Sequence, residues 1–420
     1  MCQKRCFGLL FLMTIPLLMN IGFSREQNGK IHNVLNLQTD TTSAALSNIF
    51  VQSREISKNF SEIMGVSMSP LLGMGALGAY RYYKTPEAER ANLPWYNSPK
   101  FWIPLFIILL LIILKDFLTT AIPLLQPLKM PLDAAENFEN IISALIAMPI
   151  VLTLLAHIND EFLAIMSPVT HSQIIHVGIV PYLETILLIV VGATAFMLVW
   201  LASHSINVLI LLSPLGIIDL ALRALRIFMI TILIVSTAIH PFLGLIFCLI
   251  LFFIGYRISG WSFRLMVFGL VFSADLLNQR YKKFEVDPAE IRVFSGKAIP
   301  NVPSFTYGIL RTSGEAAMAF VYKPWLVKPA RSIELPGSFS TLSVGRGVIN
   351  PVLLQSADDR KSDAVLFRFP PRYQSHEENL ANVLRITSIR DVGVKKGIRA
   401  IRQWINENIK DQKINLALNR

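Results

Sequence analysis

The stretch from Phe101 to Tyr256 limits the fold more than any other part of this chain. Its first run, Phe101 to Leu114, holds fourteen residues without a formal charge and then meets Lys115 and Asp116 side by side. A soluble helix keeps a polar face, whereas about 20 predominantly apolar residues are what a helix needs to cross the hydrocarbon of a bilayer. Similar runs follow at 141–157, 178–202 and 227–256. The chain therefore reads as an α-helical polytopic membrane protein. Composition agrees, with 53% hydrophobic and only 16% charged residues against about 25% charged in soluble domains.

The runs are not uniform. A polar hinge around Pro127 and Pro131 is expected to end one helix, with Asp133, Glu136 and Glu139 opening the next. Residues 203–226 carry Ser213-Pro214 and Gly216 inside an apolar pattern, which suggests a broken or partly re-entrant helix sheltered by protein. Pro241 divides 227–256, so that segment is one kinked span or a tight hairpin. Residues 258–276 read as an amphipathic interfacial helix with Trp261 and Arg264 on its polar side. Residues 65–276 form the helical membrane domain.

Upstream, residues 1–24 combine a basic start with an apolar run and fit a secretory signal peptide or an uncleaved first membrane helix. Residues 25–64 are polar and partly amphipathic. Between 66 and 80, Gly73, Gly75 and Gly78 have the G-x-G-x-x-G spacing of dinucleotide sites. They lack the strand and helix of a βαβ unit, so close helix packing is the better reading. Those small residues also offer a face for oligomer contacts.

The net charge of +11 is concentrated after Arg257 and fits attraction to anionic lipid headgroups; no nucleic-acid motif accompanies it. Three cysteines, Cys2, Cys6 and Cys248, cannot build a disulfide framework or a cysteine metal site. No catalytic constellation, metal motif or cofactor fingerprint stands out. The candidate functional residues are the ionisable groups at membrane depth, namely Lys115, Asp116, Glu184, Asp219, Arg223 and His240, since such groups are costly in hydrocarbon and often mark ion paths. Asp219 and Arg223, four residues apart, are equally readable as a helix-surface pair.

From 277 to 390 short β-rich runs appear, at 291–296, 305–312, 316–322, 340–349 and 364–369. A helix follows near His376 with Leu380, Val383 and Leu384 on one face. This pattern implies a small β-barrel or roll closed by a helix. The tail, 391–420, forms a basic amphipathic helix in which Lys395, Lys396, Arg399, Arg402 and Trp404 suit a membrane surface or a docking face. With a cleaved leader, loop charges favour 81–100 and the region after Arg257 both in the cytoplasm, and the expected location is a bacterial inner membrane.

The elements SPLLGMGALGAY (69–80), LPWYNSP (93–99), LKDFLTTAIP (114–123) and PLDAAENFENIISALIA (131–147) together resemble a domain-of-unknown-function family of small bacterial and plant membrane proteins. The likeness covers about 65–257 and implies a helical membrane fold with an acidic residue ending the first long helix. The β-rich region resembles the pleckstrin-homology-like architecture by its pattern. Three functions follow as expectations. The first is a membrane scaffold or sensor whose β domain, within 284–420, binds lipid headgroups or a protein partner. The second is a small-solute or ion transporter using broken helices and intramembrane carboxylates. The third is a lipid-modifying enzyme, which requires Asp116, His157, His204, Asp219 and His240 to gather at one depth.

Overall fold

A computed structural model describes Arg54 and residues 57–392, apart from 123–125, 167–179, 214–215, 281–283, 314–316, 336–340, 348–349 and 356–362. The leader and the basic tail with Lys395, Lys396, Arg399, Arg402 and Trp404 lie outside the described residues. Helix α1 covers 57–68, followed by α2 (Pro70–Lys84), α3 (Pro99–Ala121), α4 (Gln126–Met166), α5 (Val180–Leu212), α6 (Gly216–Ile239) and α7 (Pro241–Leu277). Among the described residues, four helical stretches are long and apolar enough to cross a membrane: Pro99–Thr119, Leu128–Ala156, Ile186–Leu212 and Phe242–Leu277. Their outer faces expose Leu110, Phe117, Leu145 and Phe253, the residues a lipid-facing surface requires.

Side-chain contacts fix how the helices run. Leu155 on α4 meets Gly192 on α5, and Asn140 on α4 meets Trp200 and His204 on α5, so the two are antiparallel. Arg226 on α6 reaches back to Ser203 and Asn207 on α5, and Thr237 meets Gly244 across the α6–α7 turn. The segment 227–256 is thus a hairpin broken at His240, not one kinked span. The 203–226 region divides at Ser213, with α5 running on to Leu212 and α6 beginning at Gly216.

Three expectations need correction here. The hinge at Pro127 and Pro131 does not interrupt a helix, because α4 runs for 41 residues through both Pro131 and Pro149. Pro127 occupies the first turn, where backbone N–H groups have no intrahelical partner, and a missing bond deeper in a packed membrane helix is tolerable. Residues 258–276 are not a separate interfacial helix. They continue α7, and Leu265, Phe268 and Phe272 are buried in a cluster with Ala134 of α4, Val208 and Leu211 of α5 and Phe294 of the sheet. Residues 66–80 do not cross as one span: α1 and α2 fold back on each other at Ser69. Glu62 pairs with Arg81 at 2.7 Å across this hairpin. A Cβ on Gly73 would fall 2.5 Å from the Val66 Cα, and one on Gly78 would fall 2.5 Å from the Tyr96 carbonyl oxygen. The small residues offered for oligomer contacts are spent on packing within the chain.

These directions alter the expected topology. With α3 to α7 alternating, Arg81, Lys84, Arg90 and Lys100 sit at one end of the bundle, while the sheet emerges at the other. The arrangement with both regions on one face does not hold, because α6 adds a helix between them.

The C-terminal part is one eight-stranded sheet in the order β4-β3-β2-β1-β7-β6-β5-β8. Its strands are β1 (Ile291–Ser295), β2 (Tyr307–Ser313), β3 (Ala317–Tyr322), β4 (Arg331–Leu335), β5 (Leu342–Gly347), β6 (Val352–Gln355), β7 (Ala364–Arg368) and β8 (Ser388–Val392). Two antiparallel meanders join where Phe294 pairs with Arg368 and Ser295 with Phe367. The sheet is open, not a barrel. After the short helix α8 (Glu377–Val383), β8 returns parallel to β5 and covers the edge that closure would have needed. Phe320, Phe367, Phe369 and Tyr373 form the core beneath Leu380 and Leu384. Burial pushes the Tyr373 phenol up to about 12, and its oxygen accepts the Arg292 N–H at 3.0 Å. Asp275, fully buried near the end of α7, accepts the Arg372 Nε–H at 2.6 Å and ties helix to sheet.

Candidate functional site: an ionic network at the sheet end of the bundle

The first 18 residues of α4 (126–143) place Lys129, Asp133, Glu136, Asn140 and Ser143 on one stripe, since positions three or four apart share a helix face. That stripe faces the ends of α3 and α6. Lys115 on α3 contributes the central cation. Its Nζ lies 2.7 Å from Asp133 Oδ1, 2.5 Å from Glu136 Oε2 and 3.0 Å from Asp116 Oδ1. Arg223 on α6 closes the other side. It approaches both oxygens of Glu136 at 3.3 Å, a two-pronged geometry suited to a planar guanidinium, and it also pairs with Asp116. Lys129 pairs with Asp219 and donates to the Ser213 carbonyl at 3.3 Å, which secures the break between α5 and α6.

The network extends toward the bundle centre. Arg226 donates to Asn207 and to the Ser203 carbonyl, while the Ser203 hydroxyl donates to the Met68 carbonyl at the tip of the α1–α2 hairpin. Asn140 Oδ1 accepts from Trp200 Nε1 at 3.2 Å and lies 2.9 Å from His204 Nδ1, with the two rings stacked. Because the indole nitrogen can only donate, this oxygen acts as acceptor and places the imidazole proton on Nδ1. Glu139 accepts from Ser143.

Among the described residues, the charges do not balance. Asp116, Asp133, Glu136 and Asp219 face Lys115, Lys129 and Arg223, four carboxylates against three cations, and adding Glu139 and Arg226 leaves the same formal excess of one negative charge. Side-chain exposure is only 4% at Asp133, 8% at Asp219 and 10% at Lys115. An uncompensated charge there is expensive, and one proton or one monovalent cation would remove it. Asp116, Asp133 and Glu136 could also bracket a metal ion, each offering an oxygen within 4.8 Å of the others. The Lys115 ammonium already sits on all three, so these residues do not fit a metal while Lys115 is charged.

Four of the six expected membrane residues, Lys115, Asp116, Asp219 and Arg223, thus meet in one network. Their pairing differs from the expectation, since Asp219 engages Lys129 and not Arg223. His240 belongs elsewhere. It caps α7 by accepting from the Phe242 N–H at 3.2 Å and is exposed at the opposite end of α6. Glu184 lies near the start of α5, outside the residues whose side chains are described. Lys129, Arg226 and Asn140 were not expected as site residues, and His204 was expected only for the lipid-modifying reading, although the 129-133-136-140-143 spacing carries a signal for the α4 members. A groove of about 470 Å³ between α3 and α4 opens beside this network, walled by Ile108, Leu111 and Leu132 with Glu136 and Glu139 at its polar side.

No family model, no curated protein and no solved structure matches the chain.

Proposed function

We propose that the chain is a small-solute or ion transporter whose working site is the Lys115–Glu136–Arg223 network. The observation carrying this reading is the excess carboxylate at a place where helix breaks converge. Ends of α3, α4, α5 and α6 meet there, and the tip of a folded-back helix pair approaches from the other side through Met68 and Ser203. Broken helices and sheltered carboxylates are the parts from which secondary transporters build ion sites near the bilayer interior. A proton or a monovalent cation suits the single missing positive charge. The test is flux in proteoliposomes under an imposed proton or sodium gradient. Asp116→Asn and Asp219→Asn are each expected to cut flux at least ten-fold, and unchanged flux in both removes the proposal.

A second reading is a scaffold or sensor whose sheet domain engages lipid headgroups or a protein partner, in keeping with the resemblance to a pleckstrin-homology-like architecture. It is favoured by Trp325, Leu326 and Val327, which stand exposed on the β3–β4 connection beside α7. The resemblance of residues 65–257 to the membrane family of unknown function fits either reading. We assign the sheet end to the cytoplasm of a bacterial inner membrane, on the strength of Arg257 and Arg264 on α7 and Arg280 just past its end. A reporter fusion after Arg420 that reads as external would refute that orientation.

A further inference from the structure

We propose that the β3–β4 connection and α7 together form a binding site for the phosphate headgroup of an anionic membrane lipid. The inference rests on the second reading, lipid engagement by the sheet domain, and gives it a location. Between Gly260 and Arg264 on α7 and the connection Lys323–Lys328 lies a cavity of about 250 Å³, whose cationic lining is Arg264, Lys323 and Arg331. Neither Lys323 nor Arg331 has a carboxylate partner among the described residues. Arg264 is held in place by donating its Nε–H to the Ser304 carbonyl at 3.0 Å, which leaves its terminal nitrogens for a ligand.

The position suits a headgroup. Phe253 and Ile254 on α7 are exposed and apolar, as a lipid-facing stretch must be, and Gly260 follows seven residues later, about 10 Å further along the helix axis. At that level Trp325 packs on Phe263 with ring centroids 5.0 Å apart. A Cβ on Gly260 would lie 3.5 Å from the Trp325 ring. Beyond this contact the connection projects Leu326 at 46% exposure and Val327 at 90%. An apolar triplet preceded by Lys323 is the arrangement of a segment that dips into the acyl boundary while its ammonium group stays with the phosphates.

The backbone is also set against its own preferences. Trp325 and Leu326 both occupy the left-handed region, with φ of 58° and 60°, where large side chains are disfavoured. The turn is fixed by the Leu326 N–H donating to the Lys323 carbonyl at 3.0 Å and the Lys328 N–H to the Pro324 carbonyl at 3.1 Å. Such conformations persist where surrounding structure holds them, and they cluster at ligand clamps. Here the cost aims a tryptophan and two aliphatic groups away from their own sheet.

The experiment uses the full chain in neutral detergent, titrated with short-chain phosphatidylglycerol, short-chain phosphatidylcholine or inorganic phosphate, with the thermal midpoint as readout. Phosphatidylglycerol is expected to raise the midpoint more than phosphatidylcholine does, with inorganic phosphate near baseline. Lys323→Ala with Arg331→Ala is expected to weaken the phosphatidylglycerol response about thirty-fold in concentration, the equivalent of two juxtamembrane cations. The charge-retaining pair Lys323→Arg with Arg331→Lys should keep most of it. Trp325→Ser should weaken the response to both lipids. If the original chain shows no phosphatidylglycerol preference, lipid engagement by the sheet domain itself falls. If the preference exists and survives the double alanine variant, the site is wrong while that reading stands. A response to inorganic phosphate equal to that of the lipid overturns the lipid assignment. Should the alanine pair fail to fold, quenching by brominated phosphatidylglycerol decides the matter, since Trp325→Phe must remove a quenched component that brominated phosphatidylcholine does not reproduce.

Discussion

Replacing Lys115 with Met keeps an unbranched side chain only one atom shorter and removes its charge, which isolates what the ammonium does. In the intact protein this one group lies within 3.0 Å of oxygens on Asp116, Asp133 and Glu136. Without it the formal excess of the network rises from one negative charge to two, and Arg223 is left as the nearest cation. Removing one partner of a buried pair costs about 3–5 kcal/mol, because the charge left behind has lost both its solvent and its partner. The 4% exposure of Asp133 puts Lys115→Met at the upper part of that range. Thermal unfolding in nanodiscs is the assay, alongside the double variant Lys115→Met with Glu136→Gln. Neutralising Glu136 restores the charge count, so the double variant should be more stable than Lys115→Met alone, with a coupling of about 1–3 kcal/mol. Glu136 also serves Arg223, which limits the recovery. A Lys115→Met protein as stable as the original, or a double variant no better than the single, would refute the account of Lys115 as the keystone of the network.

Other consequences are open to measurement. Gly78→Ala should lower the folded yield and the thermal midpoint, because its methyl would meet the Tyr96 carbonyl oxygen at 2.5 Å, whereas Gly75→Ala should be nearly silent, its nearest neighbour being the Phe106 ring at 3.4 Å. Asp275→Asn should raise amide exchange along β1 and around Arg372, since it weakens the buried tie between α7 and the sheet, and unchanged exchange there would count against that tie. Tyr373 supplies a pH test. Burial lifts its phenol from the ordinary 10.0 to about 12, so the folded sheet holds this proton longer than the unfolded chain. Its contribution is complete below pH 10 and is lost as the pH climbs toward 12. Tyr373→Phe should flatten that part of the alkaline unfolding curve.

The sequence was most legible where one physical demand dominated. A run of apolar residues has few fates, so α3, α5 and the start of α7 stand close to where hydropathy put them. The strands from Ile291, Ala317 and Ala364 likewise followed from β-branched and aromatic runs between turns. Proline misled at Pro131, because a packed membrane helix absorbs a lost hydrogen bond that would end a solvent-exposed one. Of the missed strands, β6 is a four-residue apolar run too short to stand out, while β4, reading RSIEL, and β8, reading SIRDV, were missed for a different reason. They are edge strands whose charged, partly exposed side chains lack the alternation of a buried face. At the candidate site the residue types were visible but their pairing was not. Lys129 and Asp219 are ninety residues apart, and nothing local to either points to the other.

Helix α7 begins at its His240 cap among the apolar spans and ends at Leu277, with Asp275 buried against Arg372 at the base of the sheet. At 1.5 Å per residue its 37 residues make a rod of about 55 Å. Mechanically this is a lever with no joint along its length. A tilt of about 10° at the His240 end displaces the other end by about 10 Å, by rigid-rod geometry. The ionic network lies at the sheet end of this rod, so a shift of α5 or α6 against α7 there reaches the sheet directly, whereas one at the His240 end reaches it enlarged.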